Sequence, residues 1–130
     1  MNGCRVIKSG GGGSEESSRG LHYERGISAE SVDAHGLCMH LGLVPPGGVA
    51  AAHEHDGHGA ATDILSGRAG VDFGRALEHR LEMGAGDFSY IDAGVPHRPF
   101  SLSETEPVRF VVARTDPNEE ESVVLLPELE

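Results

Sequence analysis

Residues 47–67 read GGVAAAHEHDGHGAATDILSG, and this stretch decides how the chain is understood. It follows a Pro45-Pro46 turn, carries three histidines (His53, His55, His58), crosses a glycine-containing loop and leaves through an apolar run closed by Ser66-Gly67. Side chains alternate faces along an extended chain, so His53 and His55, two residues apart, point the same way and can converge on one point. A second stretch, residues 86–97, reads GDFSYIDAGVPH and delivers His97 after a Gly-Val-Pro turn. Two histidines from one strand and one from a distant strand make a three-nitrogen cation site in a barrel.

From Leu21 onward, short apolar or β-branched segments alternate with turn signals. The pattern predicts strands over residues 27–32, 37–44, 49–55, 62–65, 69–73, 77–81, 87–91, 97–102 and 108–113. Only RALEHRLEM, residues 75–83, contains a run of good helix formers; it lies between strand signals and alternates Leu77, His79 and Leu81 against Glu78, Arg80 and Glu82, so it is assigned to a strand. Many short, evenly spaced strands with glycine-rich turns mean an all-β sandwich or barrel.

Three segments are expected. Residues 1–20 form an N-terminal arm whose SGGGGSEESSRG run has no side chains to bury and reads as a flexible link. It lacks the Gly-Lys-Ser/Thr of a phosphate-binding loop. Residues 21–115 form the β-barrel. Residues 116–130 form a tail in which Glu119–Glu121 is solvated, while Val123-Val-Leu-Leu126 must be covered, by adding a strand to the barrel edge or to a partner's edge.

At 130 residues the chain suits one domain. Ten Lys and Arg against 21 Asp and Glu give a formal charge of −11, which argues against binding nucleic acid or anionic lipid. Two cysteines without Cys-x-x-Cys spacing are read as reduced thiols. No run has the length of a membrane span and the N-terminus lacks the regions of a signal peptide, so the expected location is the cytoplasm, with no membrane partner.

The two histidine stretches resemble the motifs of the cupin superfamily. Its first motif, G-x5-H-x-H-x3,4-E-x6-G, is matched by Gly47, His53, His55 and Gly67; its second, G-x5-P-x-G-x2-H-x3-N, by Gly86, Gly94 and His97. GLCMHLGLVPPG, ILSGRAGV and RTDPNEEESVVLLPEL also resemble a bacterial group of single-domain cupins without an assigned reaction. The resemblance implies an all-β, double-stranded β-helix (jelly-roll) barrel and a metal site. The departures bear on function: Gly59 and Ala60 stand where the motif has its Glu, Asp92 where it has Pro, and Ser101 where it has Asn. Related sequences often read HxHxxHE, so His58 is a candidate to replace the missing carboxylate.

The candidate metal ligands are therefore His53, His55, His58 and His97, holding one divalent transition metal; imidazole ligation suits Zn, Fe, Mn, Ni or Cu. His22, His35, His40 and His79 lack a partner at ligand spacing, and strand parity from Ala60 turns Asp63 away from the site. Tyr90 and Arg98 flank the second motif and are candidates to contact a carboxylate-bearing ligand. No separate organic cofactor site and no catalytic side chain stands out, since there is no Gly-x-Ser-x-Gly elbow and no cysteine in a nucleophile motif. Two functional classes stay open: a metal enzyme that oxidises, isomerises or hydrolyses a small polar organic molecule, and a non-catalytic ligand-binding or sensing module with a degenerate metal site. A homodimer is expected from the apolar run at residues 123–126. Neutral imidazoles are required for ligation, so metal affinity is expected to fall below a pH of about 6.5.

Overall fold

The segments CMHLGLV and VRFVVAR each bury every second residue, and they pair antiparallel over their full length, from Val108 opposite Val44 to Arg114 opposite Cys38. This pair lies at the centre of a nearly all-β jelly roll. The computed structural model describes residues 3–118 and 122–130. In chain order its strands are β1 (Ser14–Glu16), β2 (His22–Ile27), β3 (Cys38–Val44), β4 (His53–His55), β5 (Ala60–Ser66), β6 (Arg68–Phe73), β7 (His79–Gly84), β8 (Phe88–Ile91), β9 (His97–Ser101), β10 (Val108–Arg114) and β11 (Val123–Leu125). A six-stranded sheet has the order β1-β2-β3-β10-β5-β8 and a five-stranded sheet the order β11-β4-β9-β6-β7. Apart from the consecutive runs β1-β2-β3 and β6-β7, neighbours within each sheet are distant in sequence, and strands such as β4 and β5 lie in opposite sheets, so the interior is lined from both sides. The buried cluster between them includes Leu21, Tyr23, Val44, Ile64, Val108 and Phe110.

Two glycine positions are fixed by geometry. Gly67, between β5 and β6, has φ +86°, and a Cβ there would overlap the Pro107 carbonyl oxygen. Gly42 on β3 faces inward opposite Phe110, whose ring occupies the space a Gly42 side chain would take. The Phe110 ring meets Tyr23 edge to face, with centroids 6.3 Å apart.

Several expectations are corrected. Residues 27–32 are not a strand: Ile27 ends β2, and Ala29–Val32 form one helical turn, α1. The cause is a capping box, in which the Ser28 hydroxyl accepts from the Ser31 N–H at 3.2 Å and the Ser31 hydroxyl accepts from the Ser28 N–H at 2.9 Å. The strand assigned to residues 77–81 is a strand and not a helix, but it begins at His79, because Leu77 takes φ +54° and donates its N–H to the Gly74 carbonyl in a turn. Of residues 49–55 only His53–His55 form a strand, with Val49 making an isolated bridge to Phe100. The glycine-serine run does contain buried residues: Ser14–Glu16 pairs with β2, and Ser17 and Arg19 are buried. At the other end, β11 adds to the chain's own sheet, antiparallel to β4, with Val123 opposite His55 and Leu125 opposite His53. Val124 and Leu125 remain 41% and 46% exposed. The solvated reading of Glu119–Glu121 lies outside the described residues. Cys4 and Cys38 are free thiols, and no helix among the described residues is long and apolar enough to cross a membrane.

Two predictions follow from packing. Gly42→Val drives a branched side chain into the Phe110 ring and should cost about 1–3 kcal/mol of stability; urea unfolding reads this, and an unchanged midpoint would show that the ring has somewhere else to go. Removing residues 122–130 strips β11 from the strand that carries His53 and His55 and should lower the melting temperature by at least about 4 °C. A truncated protein that melts like the full chain would mean that β11 adds nothing to β4.

Candidate metal centre

Strand pairing builds the site. β4 runs antiparallel to β9 with His53 directly opposite His97, and parity puts His55 on the same inward face as His53. The second motif is tied to the first by its turn: Gly94, at φ +73°, donates its N–H to the His55 carbonyl at 2.9 Å. Ring centroids lie 4.2 Å apart for His53 and His97, 5.2 Å for His53 and His55, and 5.5 Å for His55 and His97. One ring nitrogen from each falls within 4.8 Å of the others, and the three residues are 1%, 3% and 2% exposed. The triad can hold a metal ion.

The hydrogen bonds of the rings suit that use. His53 Nδ1 lies 2.7 Å from the Ala51 carbonyl and His97 Nδ1 lies 2.9 Å from the Val95 carbonyl. A carbonyl only accepts, so each Nδ1 carries the proton and each Nε2 keeps its lone pair for a cation. His55 Nδ1 is buried with no hydrogen-bond partner among the described residues.

Burial decides the charge of the rings. It is the largest cause pushing His53 down to about 2, with the neighbouring His97 next. It likewise pushes His55 down to about 3, helped by the positive charge of Arg114, and His97 down to about 4, against the bond to Val95. All three are neutral at physiological pH. Protons therefore compete with a metal for these nitrogens only at a lower pH than the free-histidine value used in the sequence reading.

The fourth candidate, His58, is not brought into the group. Its Nδ1 is hydrogen-bonded to the Thr115 hydroxyl at 2.9 Å. The two motif positions that lack Glu differ in surroundings: Ala60 is buried in the cavity wall, and a Cβ on Gly59 would meet the Tyr90 hydroxyl at 2.6 Å. Asp63 lies off the cavity, while its neighbours Thr62 and Ile64 line it, as parity requires. His22, His35 and His79 are exposed; His40 is buried, accepts the Gly26 N–H at Nδ1 and is pushed down to about 4, chiefly by burial.

The triad lines one wall of a cavity between the sheets of about 620 Å³, counting its opening. Two arginines line it as well, Arg19 and Arg114, at 2% and 3% exposure. The sequence reading missed both. Arg114 has a legible signal, because Val108, Phe110, Val112 and Arg114 share the buried parity of β10. Arg19 has none: it enters through a tight turn in which Gly20 donates to the Ser17 carbonyl, and its own carbonyl accepts the Ala51 N–H at 2.8 Å, next to β4. The residues singled out for a carboxylate ligand lie elsewhere. Tyr90 is 68% exposed on the outside, and Arg98 is engaged with Asp72 at 3.4 Å and Glu130 at 3.7 Å.

A stability prediction follows from the neutral rings. Each histidine whose value is depressed by burial takes up a proton on unfolding between its folded value and a pH of about 6.5, so over that interval the unfolded chain binds more protons and is favoured as pH falls. The stabilisation is complete above the unfolded value and is lost downward toward the folded values, at about 1.4 kcal/mol per pH unit for each histidine. Metal-free protein should lose stability steeply between about pH 6 and about pH 4. Urea midpoints measured across that interval check this, and a flat profile would contradict it.

Comparison with known proteins places the chain. The profile for the cupin domain matches residues 40–114. No curated protein matches the sequence. Among solved structures, an oxalate decarboxylase from Lactobacillus farciminis in its formate complex superposes with a TM-score of 0.71 at 20% identity, covering 87% of this chain and 33% of that one. A Bacillus subtilis oxalate decarboxylase, in work on its Mn(II) centres, gives 0.70 at 18% identity over 86% of this chain and 29% of that one. The same enzyme at pH 4.6 gives 0.69 at 18% identity over 95% and 30%. The chain thus spans about a third of the length of these relatives, and at this identity the likeness is one of fold. With the profile covering more than half of its length, and with both histidine motifs meeting in one cavity, the chain belongs to the cupin family.

Proposed function

We propose that the chain is a metal-binding cupin that binds or transforms a small organic anion at a divalent transition metal held by His53, His55 and His97. The observation that carries this reading is the convergence of three neutral, buried imidazoles in a cavity that Arg19 and Arg114 also line. Three nitrogen donors suit Zn, Fe, Mn, Ni or Cu, and Mn gains support from the Mn(II) centres of a structural neighbour. Such a cation polarises an oxygen of a bound water or substrate. The chain's own part is positional: carbonyls of Ala51 and Val95 fix the tautomers, and the two guanidiniums draw a carboxylate toward the histidines. With the motif Glu absent, no protein carboxylate offsets the charge of the cation at that position.

One observation favours a second reading, a ligand-binding or sensing module. Among the described residues that line the cavity there is no Asp or Glu, so a carboxylate general acid or base is wanting there. Turnover of a bound anion separates the two readings. In the same proposal the protein is cytoplasmic, in keeping with its free thiols, and pairs with a second copy through the outer face of the six-stranded sheet, where Met39, Leu65, Phe88 and Tyr90 are exposed.

The test is metal content and calorimetric affinity for the wild type and four variants. His53→Ala, His55→Ala and His97→Ala should each weaken binding by more than the roughly 10- to 100-fold that loss of an outer partner costs. His58→Ala should change affinity less than about tenfold, since its ring is engaged with Thr115. A loss at His58 equal to that at His97 would make it the fourth ligand. Wild-type protein that takes up none of the five metals would end the metal reading.

A further inference from the structure

Strand register sorts the cavity wall into layers. At one end His53 faces His97, and Ala60 lies between Arg114 and Ile91. One step in, Thr62 lies between Val112 and Ser89, and Val71 faces Pro99. A further step in, Ile64 faces Phe110 and Ala69 faces Met83. The triad nitrogens and Arg114 lie in the first layer, and Arg19, which is on no strand, stacks over the Tyr23 ring with its guanidinium carbon 5.0 Å from the centroid. The only hydroxyls of the second, on Thr62 and Ser89, are hydrogen-bonded to each other, so neither asks for a ligand. In the third layer Ile64, Phe110, Ala69 and Met83 are apolar, and Tyr23, paired with Gly42 beside Phe110, carries a phenol hydroxyl.

We infer that the ligand is a monocarboxylate with an apolar body, its carboxylate at the histidine and arginine layer and its hydrocarbon against Val71, Ile64 and Ala69. This rests on the function proposed for the same pocket and narrows it to one substrate class. The reason is desolvation. Hydrocarbon against Val71, Ile64 and Ala69 gains apolar contact, whereas a second carboxylate set against those three residues would be buried with no donor side chain among them. A small dianion such as oxalate, the substrate named for the structural neighbours, would leave the inner layers unfilled.

The experiment is calorimetry of straight-chain carboxylates from acetate through butyrate and hexanoate to octanoate, with oxalate alongside, on protein whose metal content is measured first. Affinity should rise about fourfold per added methylene until the cavity is full, and oxalate should bind more weakly than butyrate. Ala69→Val narrows the innermost layer and should bring the plateau one or two carbons earlier while leaving acetate unchanged. Val71→Ala, which enlarges the second layer, should move the plateau the other way and serves if Ala69→Val does not fold. A series that does not rise, an absence of binding, or oxalate as the tightest ligand overturns the inference. The rise is a ratio within one series and is read with or without bound metal. Protein that holds no metal and still shows the rise would therefore overturn the metal reading and leave this one standing.

Discussion

The antiparallel pairing that sets His53 opposite His97 is the contact on which the site depends. It joins histidines more than forty residues apart in sequence, one from each motif, and places their rings on one inward face. β4 is only three residues long, so its own pairing with β9 cannot hold it in place alone. Support comes from outside: β11 covers its other edge, Gly94 donates to the His55 carbonyl, and the Ala51 N–H is taken by the carbonyl of Arg19. The end segments of the chain thus position the strand that bears two of the triad histidines.

Burial then gives these rings their chemistry. In water an imidazole is partly protonated near neutrality; between two sheets, with arginines nearby, the charged form is disfavoured and the lone pairs stay available. The same burial costs stability in acid, because the unfolded chain can take up protons that the folded one refuses. A site ready for a cation and a fold sensitive to low pH are one electrostatic fact. Arg19 and Arg114 add to it by giving the first layer of the cavity a preference for negative ligands.

The inner layers follow from a different principle. Phe110 lies over Gly42, and Ile64, Val71 and Ala69 face across the interior, so the wall away from the histidines is mostly apolar. Such a wall excludes polar groups more strongly than it attracts apolar ones, because an unpaired polar group has no water to turn to.

By itself the sequence determined what is local and periodic. Alternation with a period of two put His53 and His55 on one face and turned Asp63 away; glycines at residues 67 and 94 marked turns that a side chain would strain. Motif spacing singled out His97, the third member of the buried triad. Tertiary structure alone decided the rest. A serine capping box overrode the strand pattern after Ile27, and a left-handed Leu77 moved the start of β7. Strand order brought Arg19 in from a glycine-serine segment, kept His58 outside the triad, and put Tyr90 and Arg98 on the outer surface. The reason is physical: a residue's face is fixed by its immediate neighbours, whereas its companions across the cavity are fixed by pairings between distant strands, which no local pattern encodes.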